Sequence, residues 1–428
     1  MSVEASKTAG GPPRTRDRKP PTVRTRRVFY ALATVFVLFL AASSAPSPLY
    51  AIYQQHWHFS AWVLTVVFAL YVVGLLAALL VVGGLSDHVG RRPVLAAAVG
   101  LEVLALVTFL AAEDVGVLAL ARVLQGIATG AATTTLSAAL VDLEPARGRA
   151  GMFTAVAPLA GLAAGAVGSG LLVELAPAPT RLVYAVLLVG MLASAVVVAG
   201  MRETSGRRPG ALGSLRPRVG LPAHLRPDIL PVVPVMVSGW ALAGMYLSLG
   251  PSVAADLLGL RSALLGGLVV GLLVGPGAMA VFLLRGRAAT ALLVPGALLL
   301  GGGTLTSLVG IRADAAWAAA LGTILAGAGL GTSVLAAMGT VARVARPHER
   351  GEVFATANVI SYLGNSVPAV LGGIAVTVLG LRTATEIYAV TIAVIALLAL
   401  LLHVRRLRTE RTTATPAPAG DQRPREIR

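Results

Sequence analysis

Two charged residues, Glu102 and Arg122, stand inside long apolar stretches of this chain. Gln125, Thr129 and Thr133 follow Arg122 at helical spacing, so on a helix these four side chains form one polar stripe. In a lipid bilayer a buried charge costs about 3 kcal/mol or more, and such a group is protonated, paired or turned towards a polar interior. The chemistry open to Glu102 and Arg122 is therefore proton transfer and the binding of a polar group.

The elements that must position these residues are apolar helices. Of the 428 residues, 56% are hydrophobic and 13% are charged, whereas a water-soluble domain carries about 25% charged residues. Apolar runs of the length that crosses a bilayer, about 20 residues, recur twelve times. The sequence therefore predicts an all-α integral membrane protein with twelve transmembrane helices. The predicted spans are 28–52, 62–83, 94–112, 115–140, 151–174, 181–200, 229–250, 263–284, 290–311, 315–341, 351–379 and 384–403.

Basic residues are distributed unevenly over the loops between these spans. The loops on one side carry four arginines in all, whereas the termini, the central linker and the loops on the other side hold every other Lys and Arg except Arg122. Because cytoplasmic loops are enriched in Lys and Arg, both termini are predicted in the cytoplasm. The net charge of +16 then reflects orientation, and nucleic-acid binding is disfavoured. The preference for Arg over Lys, with abundant Ala, Leu, Val and Gly, suggests a bacterial cytoplasmic (inner) membrane.

The chain divides into two halves of similar pattern. A polar, Arg-rich and Pro-rich segment at 201–228 separates six spans from six, and polar segments at 1–27 and 404–428 are predicted to be disordered cytoplasmic tails. The predicted units are an N-terminal bundle at 28–200, a cytoplasmic linker at 201–228 and a C-terminal bundle at 229–403. Internal repeats are common in secondary transporters, with the substrate site between them. At an offset of 201 residues the matched pairs are Gly126 and Gly327, Gly130 and Gly331, Arg149 and Arg350, and Phe153 and Phe354.

The loop after the second span carries a specific motif, Gly83-Gly-Leu-Ser-Asp87-His-Val-Gly90-Arg91-Arg92-Pro. It resembles the signature Gly-x-Leu-x-Asp-x-x-Gly-Arg-Arg of the major facilitator superfamily. The resemblance covers about residues 28–403 and implies two pseudo-symmetric six-helix bundles around a central cavity that opens alternately to each side. It also implies a latch in which Asp87 contacts the backbone near Gly351 and Arg91 pairs with Asp142. The second half keeps only Arg285-Gly286-Arg287, so the latch is predicted on one side. The predicted latch residues are Gly83, Asp87, Gly90, Arg91, Arg92 and Asp142.

A second motif lies in the fourth span, Arg122-Val-Leu-Gln125-Gly126 followed by Gly130. It is similar to the Arg-x-x-Gln-Gly motif of the drug/proton antiporter branch of that superfamily, in which the arginine is tied to proton coupling. The resemblance implies proton-coupled efflux of small, partly apolar compounds, including multidrug export. Glu102 is our candidate proton carrier, with Arg122 as its possible partner, although the first span lacks the acid that these antiporters often carry. The fifth span keeps Pro158 from the branch's Gly-Pro-x-x-Gly-Gly motif.

Further polar and aromatic residues are candidates for the cavity wall. Asn358, Tyr362 and Asn365 share one face of the eleventh span, either lining the cavity or bonding between helices. Trp240 in the seventh span and Tyr71 in the second are candidates for an apolar wall, where packing is the alternative. The polar stripe of the fourth span adds Gln125 and Thr129. His56 and His58 alone make a poor metal site, so no metal is predicted.

Several functions remain open on the sequence alone. An importer or facilitator of a nutrient such as a sugar or organic acid is one, since Glu203-Thr-Ser-Gly-Arg207 is faintly similar to a sugar-porter signature but lacks its leading proline. A transporter-like membrane sensor is another. A membrane enzyme would need clustered acids, histidines or a nucleophile at membrane depth, so we expect no enzyme activity and no cofactor. The expected partners are a small-molecule substrate, protons and membrane lipid, and the expected state is a monomer.

Overall fold

The computed structural model describes residues 23–413 other than 147, 218 and 347. Within these residues it contains helices and no strand, and twelve helices are long and apolar enough to cross a membrane. We label them α1 to α12. Their bounds are Val23–Ser44, Ala61–Val82, Arg91–Leu110, Val115–Asp142, Arg149–Leu175, Pro179–Gly200, Val233–Ser248, Ala263–Leu284, Ala289–Arg312, Ala316–Val344, Arg350–Leu379 and Leu381–Thr413.

The structure changes several of the predicted boundaries. The predicted first span, 28–52, is divided into α1 and a short helix at Tyr50–Trp57, because Pro46 and Pro48 lie between them. Short helical turns from Ala223 onward lead into α7, so the end of the predicted linker belongs to the seventh span. The helix α12 continues to Thr413, beyond the predicted boundary at 403. The predicted tails before residue 23 and after residue 413 lie outside the described residues.

Close helix packing in the first bundle, α1 to α6, depends on glycine. On α4, Gly126 and Gly130 face α2, and a methyl group at either position would overlap the carbonyl oxygen of Tyr71 or Leu75. Small residues at such contacts let helix backbones approach within van der Waals distance, which drives association in lipid. The GxxxG face predicted for the fourth span is therefore its contact with the second.

The second bundle, α7 to α12, repeats this contact. On α10, Gly327 and Gly331 face α8, and a methyl group there would overlap the carbonyl oxygens of Leu273 and Gly277. The positions are the counterparts of Gly126 and Gly130 in the predicted repeat. Two pseudo-symmetric six-helix bundles are thus confirmed as the architecture.

The two bundles are joined by hydrogen bonds at one end. We call the end that carries residues 83–90 and the linker the linker face, and the opposite end the far face. At the far face the Ser47 hydroxyl donates to the carbonyl oxygen of Leu247 (2.5 Å). The Glu174 carboxylate accepts from the hydroxyl of Ser262 (2.9 Å) and the backbone N–H of Ala263 (3.0 Å). The bonds of Glu174 hold α5 against the start of α8 at the far face.

Candidate functional site

A buried chain of polar groups crosses the interior of the first bundle. The Arg122 guanidinium donates from Nη1 to the carbonyl oxygen of Ser43 (2.9 Å) and to Oε1 of Gln125 (2.6 Å). The amide nitrogen of Gln125 donates in turn to the carbonyl oxygen of Ala42 (3.0 Å) and to Oε1 of Glu102 (3.2 Å). Gln125 therefore bridges the two charged groups, which lie at different depths. The sequence named Arg122 and Glu102 as possible partners but did not predict the bridge.

Local structure explains why these carbonyl oxygens accept side-chain bonds. The helix α1 ends at Ser44, so the carbonyl groups of Ala42 and Ser43 have no partner further along the same helix. Arg122 and Gln125 on α4 are one turn apart and reach across to both groups. The end of α1 is thereby fastened to the middle of α4.

The Arg122 side chain lies inside the bundle and does not reach outward to the bilayer surface. It is 1% exposed, and its guanidinium carbon lies 4.3 Å from the centre of the Tyr71 ring. The rings of Phe68 and Tyr50 are 5.9 and 6.0 Å away. Aromatic faces attract a cation most strongly where water is excluded. Three rings and two hydrogen bonds thus stabilise a charge that would otherwise be costly at this depth.

Glu102 lies at the fully buried end of this chain of polar groups, Glu102–Gln125–Arg122, which we call the relay. The side chain is 0% exposed, and its second carboxylate oxygen, Oε2, has no hydrogen-bond partner among the described residues. An unpaired buried oxygen strongly disfavours the ionised form, whereas the Gln125 donor and the nearby Arg122 charge favour it. A carboxyl balanced in this way can exchange a proton when its surroundings change.

Arg122 also faces a small cavity of about 50 Å³ between the two bundles. The cavity is enclosed by aliphatic and aromatic side chains with a few polar groups. Three buried donors near it, the Arg122 Nε, the Tyr50 hydroxyl and the Trp240 Nε1, have no hydrogen bond of ordinary geometry to any described residue. The cavity wall thus offers free donors to an acceptor group on a bound compound. Its polar and aromatic lining consists of Ser43, Ser44, Ser47, Tyr50, Phe68, Tyr71, Arg122, Trp240, Tyr362 and Asn365.

Four of the predicted cavity residues line this space: Tyr71, Trp240, Tyr362 and Asn365. The rings of Trp240 and Tyr362 lie 6.1 Å apart, and the Asn365 amide donates to the carbonyl oxygen of Trp240 (3.1 Å). Asn365 therefore combines the two alternatives given by the sequence, since it lines the cavity and also links α11 to α7.

The other predicted cavity residues lie elsewhere. Gln125 and Thr129 are buried behind Arg122 rather than in the wall. Asn358 is half-buried on α11, two turns closer to the linker face, and is not among the residues around the cavity. The sequence missed Ser43, Ser47 and Tyr50, because the end of the first span resembles an ordinary interfacial turn.

The loop motif between α2 and α3 forms a compact ionic cluster at the linker face. Arg91 is 8% exposed and pairs with Asp87 (Nη1 to Oδ1, 2.5 Å) and with Asp142 at the end of α4 (Nε to Oδ2, 3.3 Å). It also donates to the Ser86 hydroxyl (2.7 Å). The Arg92 guanidinium donates to the carbonyl oxygen of Ala199 at the end of α6 (2.6 Å). One loop thus connects α2, α3, α4 and α6.

Comparison with protein families agrees with this arrangement. The family model described as Major Facilitator Superfamily matches residues 32–367, which include most of both bundles. The chain belongs to the major facilitator superfamily. It is therefore a multi-pass secondary membrane transporter of small-molecule substrates.

Asp87 does not make the contact that resemblance to the superfamily motif implied. Its carboxylate is 55% exposed and bonds to Arg91, and no described hydrogen bond or ion pair joins it to Gly351 at the start of α11. The backbone oxygen of Asp87 accepts from the Ser205 hydroxyl instead (3.5 Å). In this state of the transporter, the loop is fastened to its own bundle and to the linker.

Glycines at two motif positions are required by close contacts. Gly83 ends α2, where a Cβ would lie 2.5 Å from the carbonyl oxygen of Leu79. Gly90 has φ of 113°, a conformation that side chains rarely adopt, and a Cβ there would lie 2.5 Å from Oε2 of Glu203. Glycine is therefore required at position 90 partly by Glu203, which lies 113 positions further along the chain.

Glu203 is a structural residue of this cluster that sequence reasoning did not assign. Its Oε1 accepts from the backbone N–H of Arg91 (2.7 Å), Thr204 (3.0 Å) and Ser205 (3.1 Å), and its Oε2 accepts from Arg92 (3.1 Å). The carboxylate therefore caps the first turn of α3, whose N–H groups have no partner within the helix. Glu203, the first residue of the segment that is faintly similar to a sugar-porter signature, therefore has a structural role in this chain.

Replacing Glu203 with Gln should destabilise the transporter in a pH-dependent way. Partial burial opposes ionisation of Glu203, but the four backbone donors outweigh it and lower the pKa of the carboxyl below its ordinary value. A lowered pKa stabilises the fold above the ordinary pKa of glutamate, and this stabilisation is lost as pH falls through the lowered value. We expect a melting temperature several degrees below wild type between pH 6 and 8, with the difference shrinking as pH falls below about 4.3, the ordinary pKa of glutamate, and disappearing only below the lowered pKa of Glu203.

Thermal unfolding in detergent, followed across this pH range, measures the effect. Glu113→Gln is a matched control, because Glu113 is an exposed carboxylate with no described hydrogen bond or ion pair. A difference in melting temperature that stays constant from pH 7 to well below the ordinary pKa of glutamate would show that the charge of Glu203 does not contribute.

Proposed function

We propose that this transporter exports small, partly apolar compounds from a bacterial cell in exchange for protons. The observation that carries the proposal is the buried relay from Glu102 through Gln125 to Arg122, which ends at the cavity between the bundles. A carboxyl and a guanidinium held in the dry interior of a membrane protein are costly, and their usual use is in ion or proton pathways.

The relay couples the two events through Gln125. Glu102 holds a proton when it is sealed from water, as it is here, where its side chain is 0% exposed. A compound that accepts a hydrogen bond from Arg122 draws the guanidinium away from Gln125, and the Gln125 amide then turns relative to Glu102. Once the relay is open to water, the carboxyl releases its proton and pairs with the released donors. Substrate binding and proton release are therefore expected to occur together.

The cavity favours a particular class of compound. Its walls are mainly Leu, Val and aromatic side chains, and its unpaired polar groups are donors. A positive guanidinium at the wall repels cations. We therefore propose neutral or weakly acidic substrates with an apolar body and at least one hydrogen-bond acceptor, such as a carbonyl or phenolate.

The proposed orientation places the linker face and both termini in the cytoplasm. The linker and the loops at that face carry more basic residues than the loops at the far face, and cytoplasmic loops carry such an excess. We propose that the Arg91–Asp142 pair acts as the latch that reorganises during alternating access, with Gly83, Asp87, Gly90 and Arg92 shaping it. The bonds of Glu174 and Ser47 at the far face must break when the cavity opens outward.

Proton release on substrate binding tests the proposal. Purified protein in weakly buffered detergent is mixed with neutral and acidic antibiotics or dyes that resistant cells exclude, and the pH change is recorded. We expect about one proton per bound compound in wild type and none in Glu102→Gln, whereas the control Glu113→Gln should behave as wild type. Release that persists in Glu102→Gln would assign the carrier to another residue. Binding with no release by wild type would contradict proton coupling and favour a nutrient facilitator or a sensor.

A further inference from the structure

A second and larger cavity lies within the C-terminal bundle, away from the interface between the bundles. It has a volume of about 330 Å³, is partly open to the outside, and is lined by α7 to α10, α12 and the short helix Gly250–Leu257 in the far half of the bundle. Its wall is almost entirely aliphatic. One side is formed by Trp317, which is 75% exposed at the outer surface of the molecule, so the cavity lies next to the bilayer.

The corresponding region of the N-terminal bundle is filled by aromatic rings. Phe109 on α3 stacks on Tyr184 of α6 with 4.6 Å between ring centres. Tyr53 stacks on Trp57 at 4.7 Å, and its hydroxyl donates to that of Tyr184 (3.2 Å). These side chains pack the far half of the first bundle and join α3, α6 and the short helix Tyr50–Trp57.

Smaller residues occupy the matching positions of the second bundle. Phe109 corresponds to Ile311, because the N–H groups of Ala111 and Ala313, two residues later, cap α3 and α9 with the same pair of backbone bonds. Tyr184 corresponds to Thr385, since each is the second of two consecutive buried residues in the first turns of its helix.

The short helices match as well. They begin 200 residues apart, at Tyr50 and Gly250, which places Tyr53 opposite Val253 and next to Ala254. Val253, Ala254, Ile311 and Thr385 all line the cavity. The cavity therefore occupies the volume that the aromatic rings fill in the first bundle.

A pocket of this volume leaves the surrounding side chains poorly packed unless a molecule occupies it. Protein interiors are packed as densely as organic crystals, and an empty space costs stability in proportion to its size. An engineered apolar cavity of about 150 Å³ stays dry and binds benzene. This cavity has about twice that volume and offers water few polar partners, so an apolar molecule is the occupant that its walls favour.

The polar groups at its wall select one further property of the ligand. The Tyr246 hydroxyl lies 2.8 Å from the Thr323 hydroxyl and 3.3 Å from that of Ser307, and Thr323 donates to the carbonyl oxygen of Ala319 (2.9 Å). Three hydroxyls have three donors and six acceptor sites. Because one donor is committed to Ala319, the trio retains an excess of acceptors. A ligand hydroxyl, which donates, is therefore favoured.

We propose that this cavity is a binding site for an uncharged, mainly aliphatic molecule with a hydroxyl group, such as a medium-chain alcohol or the hydroxyl-bearing chain of a lipid. The site is separate from the central cavity, and it does not depend on proton coupling or on the direction of transport. Thr323 lies at the repeat position of Arg122, so the two bundles use equivalent places for different purposes: a charged relay in one and a ligand site in the other.

Photolabelling tests the site directly. Wild-type protein in lipid nanodiscs is irradiated with a decanol that carries an aliphatic diazirine, and labelled peptides are mapped by mass spectrometry. We expect saturable labelling of α8 to α10 around the cavity that unlabelled decanol suppresses. The double variant Ile311→Phe/Thr385→Tyr, which restores the two rings of the first bundle, should reduce this labelling about ten-fold. Val390→Phe, on the exposed surface of α12, is the control and should have no effect.

Three further measurements check the fold of the double variant and test the site without it. Filling a true cavity should maintain or raise the melting temperature, whereas overpacking a filled core lowers it. Ala254→Leu fills less volume and should reduce labelling to a smaller extent. Tyr246→Phe should weaken labelling by the decanol probe several-fold but leave a diazirine probe without a hydroxyl unaffected.

The source of the natural ligand is read from native mass spectrometry of the purified transporter. A co-purified lipid that is lost from the double variant identifies the membrane as the source. Labelling without a co-purified lipid identifies a free compound. Equal labelling of wild type and both filling variants, or labelling confined to exposed surface residues, would overturn the proposal.

Discussion

Replacing Arg122 with alanine is expected to reduce transport at least about 100-fold, because the substitution removes one partner of a buried charge network. Each hydrogen bond to a charged group contributes about 1.5–3 kcal/mol, and Arg122 makes two of them. The guanidinium joins α4 to the end of α1 through Ser43 and to the proton relay through Gln125. Without it, Gln125 and Glu102 keep their own contact but lose the cation, and the cavity loses its charged wall.

Two related substitutions separate charge from geometry. In Arg122→Lys the charge remains, but an ammonium lacks the planar fork that donates from Nη1 to two oxygens while lying against the Tyr71 ring. We expect Arg122→Lys to regain less than about a tenth of wild-type transport. Arg181→Ala, which removes an exposed arginine with no described side-chain bond, should transport as wild type.

Uptake of a substrate compound into everted vesicles energised by a proton gradient measures these rates, normalised to the amount of folded protein. The proposed coupling also requires that Arg122→Ala lose substrate-dependent proton release. Wild-type rates in Arg122→Ala, with normal expression, would show that the arginine is a structural group and that the relay has no part in transport.

Part of the relay could be predicted from the sequence and part could not. The apolar runs and the positions of the charged residues are enough to place Glu102 and Arg122 on neighbouring helices at membrane depth. Their depths differ, and no spacing rule indicates which group spans the difference. The bridge through Gln125 depends on side-chain rotamers and on the point at which α1 ends, since that point frees the carbonyl groups of Ala42 and Ser43.

The linker-face cluster shows a second reason why part of the site was not predicted. Arg91 and Asp142 were expected to pair from the superfamily motif, and the structure places them 3.3 Å apart. The cap formed by Glu203 involves backbone N–H groups, which leave no trace in residue types. Asp87 shows the converse: the motif implies a contact near Gly351, but in this structure the carboxylate bonds to Arg91 instead.

The cavity of the second bundle adds a third case. The cavity exists because the first repeat has aromatic residues where the second has smaller ones. This difference in residue size is visible in the sequence. The offset of 201 residues aligns α4 with α10 well, but the equivalent positions at the far face shift by a residue between helices. Only the caps and burial patterns of the folded chain establish which residues correspond.

Gly126→Ala is expected to be strongly destabilising to the N-terminal bundle. The added carbon would overlap the carbonyl oxygen of Tyr71, which belongs to the α2 backbone and cannot rotate away. The helices must therefore separate, and the aromatic contacts of Arg122 with Tyr71 and Phe68 separate with them. Overpacking of this kind costs about 3 kcal/mol, which we expect to appear as a large fall in melting temperature and in the yield of folded protein.

The glycines of the same chain supply the controls that isolate packing from backbone entropy. Gly100 on α3 and Gly168 on α5 have open space where a Cβ would be, so alanine at either position should be neutral or slightly stabilising because alanine favours the helix. Gly327→Ala, which would overlap the backbone of α8 at Leu273, should lower stability as Gly126→Ala does, since the repeat gives both glycines the same role. If Gly126→Ala melts like Gly100→Ala, the close approach of α4 to α2 is absent in the membrane, and the position assigned to Arg122 beside the α2 aromatics must be revised with it.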